Sequence, residues 1–230
     1  MKLTTKIISI AAILALSSCG SSKLTTKEAA YPNMYSEKPT TILLMPPINN
    51  TADVTAKDYY YTSLAVPLCE RGFYVVSPLL SMDILKQESA YDSEMFIDGN
   101  VAPFKKVFGA DAVLFTRINS WEKNALMATI TVNIEYILKS TTTNEILFER
   151  KGELVLSTGS GATASGGLIG LAVQMTADAV STALTKHVEA ARKCNAYVLT
   201  DMPQGKYGTK YTIDGKEKSQ GKVFKGTVSR

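Results

Sequence analysis

The first chemistry in the chain belongs to a cysteine that can carry lipid. Leu16-Ser17-Ser18-Cys19 places an apolar residue and two small ones before a thiol. A lipoprotein-processing peptidase requires this pattern: small side chains admit the scissile bond, and the thiol carries the diacylglycerol. Two or three acyl chains, at about 0.8 kcal/mol per buried methylene, hold a protein on a membrane effectively for good. Two other cysteines, Cys69 and Cys194, remain for the exported chain. In an oxidising compartment they permit one disulfide or two buried thiols, and a bridge requires Cα atoms within about 7 Å.

Other residues with chemical potential are sparse. His187 is the sole histidine, with no second metal ligand at the spacing of zinc motifs, so it reads as structural and no metal is expected. The run T-G-S-G-A-T-A-S-G-G-L-I-G from Thr158 to Gly170 precedes a helix as phosphate loops do. It lacks the Lys-Ser/Thr pair of a P-loop and the spacing of a dinucleotide fingerprint, so no cofactor is expected. No G-x-S-x-G elbow occurs. Asp83, Glu88, Asp92, Glu94 and Asp98 cluster in sequence; two converging carboxylates could serve as an acid and base pair, but such clusters usually form a solvated face. The chain therefore reads as non-enzymatic. Tyr59, Tyr60 and Tyr61 stand in succession, and a helix cannot bury three consecutive side chains on one face. Tyr59, Tyr61 and Phe96 are the candidate partner contacts, because aromatic residues anchor interfaces; the alternative places the tyrosines under a neighbouring loop.

The elements that would position these residues follow from patterning. Lys2 and Lys6 precede a ten-residue apolar run, Ile7 to Leu16, too short for a permanent membrane span. Residues 1–18 are thus a signal segment, and 19–38 a polar, flexible, lipidated tether without an aspartate after Cys19, which favours the outer membrane. Residues 39–202 make a single domain and 203–230 a basic tail. In the domain, Thr40 to Met45 reads as a buried strand stopped by Pro46-Pro47. A helix from near Lys57 carries Tyr60, Leu64 and Leu68 on its core face with Ala65 and Cys69 beside them. Phe73 to Val76 is a second strand. Helices follow over 79–89, with Leu80, Ile84 and Leu85, and over 101–108, then a strand over 112–118. Strict alternation from Ala128 to Leu138 describes a long half-buried strand, with an antiparallel partner over 146–156. A long helix, with Leu171, Met175, Ala179 and Ala183 on one side, runs to about Ala191. The expected fold is α/β: three parallel strands alternating with helices, then an antiparallel pair and a long C-terminal helix on a mixed sheet.

The net charge of +4 is uneven. Lys206, Lys210, Lys216, Lys218, Lys222, Lys225 and Arg230 face only Asp214 and Glu217 in the tail, which leaves the domain mildly acidic. The tail either touches anionic headgroups or is simply solvated, with Asp214-Gly215 as a hairpin turn. Nucleic acid is not an expected partner for an exported chain.

L-L-M-P-P-I-N-N-T-A-D-V, P-L-C-E-R-G-F-Y-V-V-S-P and F-G-A-D-A-V-L-F together resemble a bacterial lipoprotein family of unknown function, first noticed among neisserial surface-antigen candidates. The resemblance covers roughly Thr40 to Leu199 and carries no catalytic residues. It implies an architecture similar to the TolB N-terminal domain and to the periplasmic part of the curli-secretion lipoprotein CsgG. It also implies a periplasm-facing, outer-membrane role in a CsgG-like secretion or assembly complex, binding other envelope proteins or a second copy of the chain. The basic tail departs from the family's usual ending. The competing reading is an auxiliary lipoprotein of an ABC-type exporter with an apolar pocket beneath Leu168, Ile169 and Leu171.

Overall fold

The computed structural model describes residues 25–124, 126–157 and 187–229. The signal segment, Cys19 and the glycine-rich run with the helical stretch after it lie outside them.

Seven strands form one mixed sheet in the order β3-β1-β4-β5-β6-β7, with β2 pairing β4. β1 (Thr41–Leu44) is parallel to β3 (Tyr74–Val75) and to β4 (Ala112–Asn124). β5 (Thr129–Ser140) and β6 (Ile146–Ser157) continue antiparallel, and β7 (Val223–Ser229) closes the edge parallel to β6. β2 (Ile48–Asn49) takes up pairing again after Pro46-Pro47, where a loop was expected. The prolines interrupt the ladder without ending it, since the next residue with an N–H can rejoin.

After Thr41, β1 is apolar because both its faces are covered. Ile42 and Leu44 face a core with α3 (Ala56–Glu70) and α7 (His187–Leu199); Leu43 and Met45 face a second core under α4 (Pro78–Gln87), α5 (Glu94–Ile97) and α6 (Ala102–Phe108). β5 alternates as its sequence requires: Ile130, Val132, Ile134, Tyr136 and Leu138 are buried, with half-exposed residues between them. In α3 the expected face holds Tyr60, Leu64 and Leu68 fully buried, but Cys69 is exposed. α7 runs past Ala191 to Leu199 because Ala190, Cys194 and Val198, spaced by four, prolong its apolar stripe.

Both expected appendages are part of the fold. Within the stretch read as a tether, α1 (Lys27–Ala30) and α2 (Pro32–Glu37) are helical; α1 is capped by the Thr26 hydroxyl, which accepts from Ala29 N at 3.3 Å. Tyr31 and Met34 from this stretch are buried in the core. The tail read as flexible supplies β7, and Asp214-Gly215 begins a 3-10 turn (Asp214–Lys216) rather than a hairpin. Two buried carboxylates tie these pieces down. Asp201 accepts from Tyr31 Oη at 2.6 Å, Ser219 Oγ at 3.0 Å and Gln220 N at 2.9 Å, and lies 3.9 Å from the fully buried Arg150 guanidinium. Asp214 accepts from Tyr35 Oη at 3.0 Å and Gln204 N at 2.9 Å, with Lys27 and Arg71 each at 3.9 Å. Periodicity of apolar residues says nothing about such charge networks, so these segments looked polar and therefore loose.

Candidate interaction site

α4 is turned against its own composition. Ser81 is buried, yet Leu79 and Leu80 are 74% and 63% exposed and Ile84 37%. Of the apolar residues Leu80, Ile84 and Leu85 that the helix carries, only Leu85 faces the core. Ser81 is accommodated inside because Tyr61 Oη lies 3.4 Å from its Oγ and donates to Pro78 O at 2.9 Å. That network rotates the leucines outward.

The outward face borders a groove of about 240 Å³ between α4, α5 and α6. Phe96, Phe104, Val107 and Phe108 line it with Ile84 and Leu85. Phe96 and Phe104 meet edge to face with centroids 5.0 Å apart, and Phe108 follows at 6.2 Å, so the wall is stiff. Two polar contacts and a glycine turn hold the walls in place. Ser93 Oγ donates to Pro46 O at the start of α5. Lys139 Nζ donates to Ile97 O at 3.1 Å and Gly99 O at 2.7 Å, placing a cation at the end of α5; burial lowers its pKa. Gly109, at φ +64°, ends α6.

Of the three candidate contacts, Phe96 lies in this groove, half-buried. The tyrosines do not join it: Tyr61 is buried and Tyr59 packs half-buried against the opposite core. Their expected exposure fails because α3 is sandwiched between the sheet, α7 and α4. Asp83, Glu88, Asp92, Glu94 and Asp98 are all exposed; only Glu88 reaches the groove. The run of Leu79, Leu80, Ile84 and Leu85 around Ser81 was the available signal for this surface, since these four apolar positions exceed what one helical stripe can bury.

Cys69 and Cys194 are both free thiols, so the disulfide alternative gives way to two separate cysteines, one of them exposed. Cys194 lies 3.8 Å from Tyr136 Oη, which donates to Asn195 Oδ1 at 2.6 Å; Asn195 Nδ2 in turn donates to Ser63 Oγ at 2.9 Å. Burial pushes the Cys194 thiol up to about 11. A maleimide at neutral pH should label Cys69 within minutes and Cys194 only after denaturation. Equal labelling of both, read by peptide mass, would contradict this packing.

Among the described residues, no group of three or more His, Cys, Asp or Glu could hold a metal, and no helix is long and apolar enough to cross a membrane.

The family described as "Putative lipoprotein GNA1162-like" matches residues 29–213. The chain belongs to this lipoprotein family. Its span includes the end of α1, all of α2 and the first part of the tail, which the resemblance read from Thr40 to Leu199 had left out. Within the GNA1162-like family, the chain is 27% identical over 195 residues to "Putative lipoprotein NMB1124/NMB1162" of Neisseria meningitidis serogroup B, covering 84% of this chain and 88% of that one. Among solved structures, the crystal structure of lipoprotein GNA1162 from Neisseria meningitidis is similar at TM-score 0.47 and 23% identity, over 62% of this chain and 99% of that one. The PelC dodecamer from Paraburkholderia phytofirmans aligns at TM-score 0.39 and 11% identity, over 73% of this chain and 91% of that one.

Proposed function

We propose that this GNA1162-like chain is an outer-membrane lipoprotein, anchored through Cys19 and facing the periplasm. In this reading it is a non-enzymatic, protein-binding component of a CsgG-like envelope secretion or assembly complex. The carrying observation is the inverted α4, which hides Ser81 and presents Leu79, Leu80 and Ile84 beside an aromatic groove. Contiguous exposed apolar surface marks an interaction site.

The size of this groove suits a protein side chain better than a whole small apolar substrate; the pocket of the exporter alternative, beneath Leu168, Ile169 and Leu171, lies outside the described residues. Small-molecule pockets run to roughly 300–1,000 Å³ and enclose most of their ligand. A groove of about 240 Å³ suits one or two apolar side chains of a protein partner, which then covers the flanking leucines. Self-association would use the same face.

The test is crosslinking in intact cells followed by purification through a C-terminal tag. Wild type should bring down a CsgG-like pore or another lipoprotein, and Cys19→Ala should not. Charges placed on the groove rim by Ile84→Glu with Val107→Glu should cut recovery at least tenfold, about 1.4 kcal/mol, while leaving the protein in the membrane fraction. Recovery of inner-membrane transporter subunits would favour the exporter alternative, and recovery of no envelope protein would end the assembly reading.

A further inference from the structure

The tail is stitched to the point where the chain enters the fold. Ser219 N donates to Thr25 O at 2.8 Å, Lys27 N donates to Glu217 O at 2.8 Å, and Thr26 pairs with Lys218 in an antiparallel bridge. Only five residues, Gly20 to Leu24, separate Cys19 from Thr25. Six peptide steps of at most about 3.6 Å span about 20 Å. A lipid on Cys19 therefore keeps the segment around Lys218 within about three Debye lengths of the bilayer surface at physiological ionic strength even with the linker fully extended, and lets it approach closer when the linker is not.

The charge on that segment is one-sided. Lys206, Lys216 and Lys218 are exposed and make no ion pair with another described residue. The neighbouring lysines are already engaged: Lys210 Nζ lies 2.6 Å from Glu217, and Lys222 and Lys225 pair with Glu149 and Glu153. Glu217 is also bound by Lys27 at 3.0 Å, so it offers little repulsion to an anionic surface. Glu28, beside Gly215, is the exposed carboxylate at this edge. Tyr207 and Ile213, 67% and 71% exposed, add the aromatic and apolar side chains that settle at a water–lipid boundary.

We infer that the 206–218 edge is a membrane-docking surface that rests on anionic phospholipid headgroups and orients the domain on its anchor. The inference rests on lipidation of Cys19. Each lysine near a charged surface strengthens association about fivefold, so three give about a hundredfold, superimposed on the acyl attachment. Docked this way, the inverted α4 on the other face of the sheet is left free for a protein.

The full lipidated protein, purified from membranes, is reconstituted into vesicles of phosphatidylcholine alone or with about a third phosphatidylglycerol. Lysines are then acylated with an N-hydroxysuccinimide ester and read peptide by peptide, with Lys106 on α6 as the internal reference. The expected result is that Lys216 and Lys218 react at least fivefold more slowly in the anionic vesicles, and that about 1 M salt removes the difference. In Lys216→Glu with Lys218→Glu, whose exposed positions leave the core untouched, Lys206 should lose its protection. Equal rates in both vesicles, with lipid present on Cys19 by mass, would overturn the docking surface and leave the anchor standing. A Cys19 without lipid would overturn both.

Discussion

Asp201→Ala should destabilise the protein by about 3–5 kcal/mol, the range for removing one partner of a buried ion pair. The carboxylate is 1% exposed and gathers Tyr31, Arg150 and the adjacent Ser219 and Gln220 from three separate parts of the chain. Without it the Arg150 side chain, itself fully buried, keeps its hydrogen bonds to Val198 O at 2.7 Å and Gly221 O at 3.0 Å but loses its counter-charge. The Tyr31 hydroxyl, whose pKa is raised by burial first and by Asp201 second, is left with an unmatched donor. For a domain of this size each kcal/mol moves the melting temperature by roughly 2–4 °C, so the midpoint should fall by about 10 °C. Asp92→Ala, at an exposed position, is the control and should change little. A loss under about 1 kcal/mol at Asp201 would show that the network does not secure the two ends of the chain.

Gly72→Ala should release the tail from α3. Gly72 has φ +86°, and a Cβ there would sit 2.0 Å from Gly208 N. The left-handed backbone alone costs a residue with a Cβ about 1–2 kcal/mol. The steric conflict adds to this, because it displaces the hydrogen bonds Gly205 N to Arg71 O and Tyr207 N to Gly72 O, both 2.9 Å. Limited proteolysis between Gln204 and Lys210 should accelerate at least tenfold, together with a loss of about 3 kcal/mol or more in denaturant unfolding. Gly109→Ala separates the two causes. Gly109 has φ +64° but open space around its Cβ position, so that variant should show only the backbone cost and no new cleavage in the tail. Equal proteolysis in the two variants would mean that the approach of Gly208 is not what holds the tail.

The period of the apolar residues was enough to find most of the sheet. A run such as Thr41–Leu44, apolar on both faces, has to be a covered strand, and the alternation from Ala128 to Leu138 admits one register toward the core because a shift by one residue would turn Tyr136 and Ile134 to solvent. Gly72 and Gly109 marked helix ends for the local reason that each adopts positive φ. The expected lipidation motif around Cys19 is likewise local, since a processing enzyme would read it in an unfolded chain.

What the sequence left open depended on partners distant along the chain. Lys27, Tyr31 and Tyr35 look like tether residues until Asp201 and Asp214, nearly two hundred positions away, supply the acceptors that make their burial favourable. Cys69 and Cys194 look alike in the sequence, and only the rotation of α3 and α7 exposes one thiol and buries the other. Phe96, read as a candidate because it stands near an acidic loop, does line the groove, but Tyr59 and Tyr61 misled, since their exposure depended on where α4 and α7 would lie. The inverted α4 is the clearest case: composition alone puts leucines inside and serine outside. The reverse follows only after Tyr61, from another helix, reaches Ser81. Local pattern thus determined the elements; the tertiary structure decided which faces stayed open, because satisfying buried polar groups is a pairing between segments that no single segment encodes.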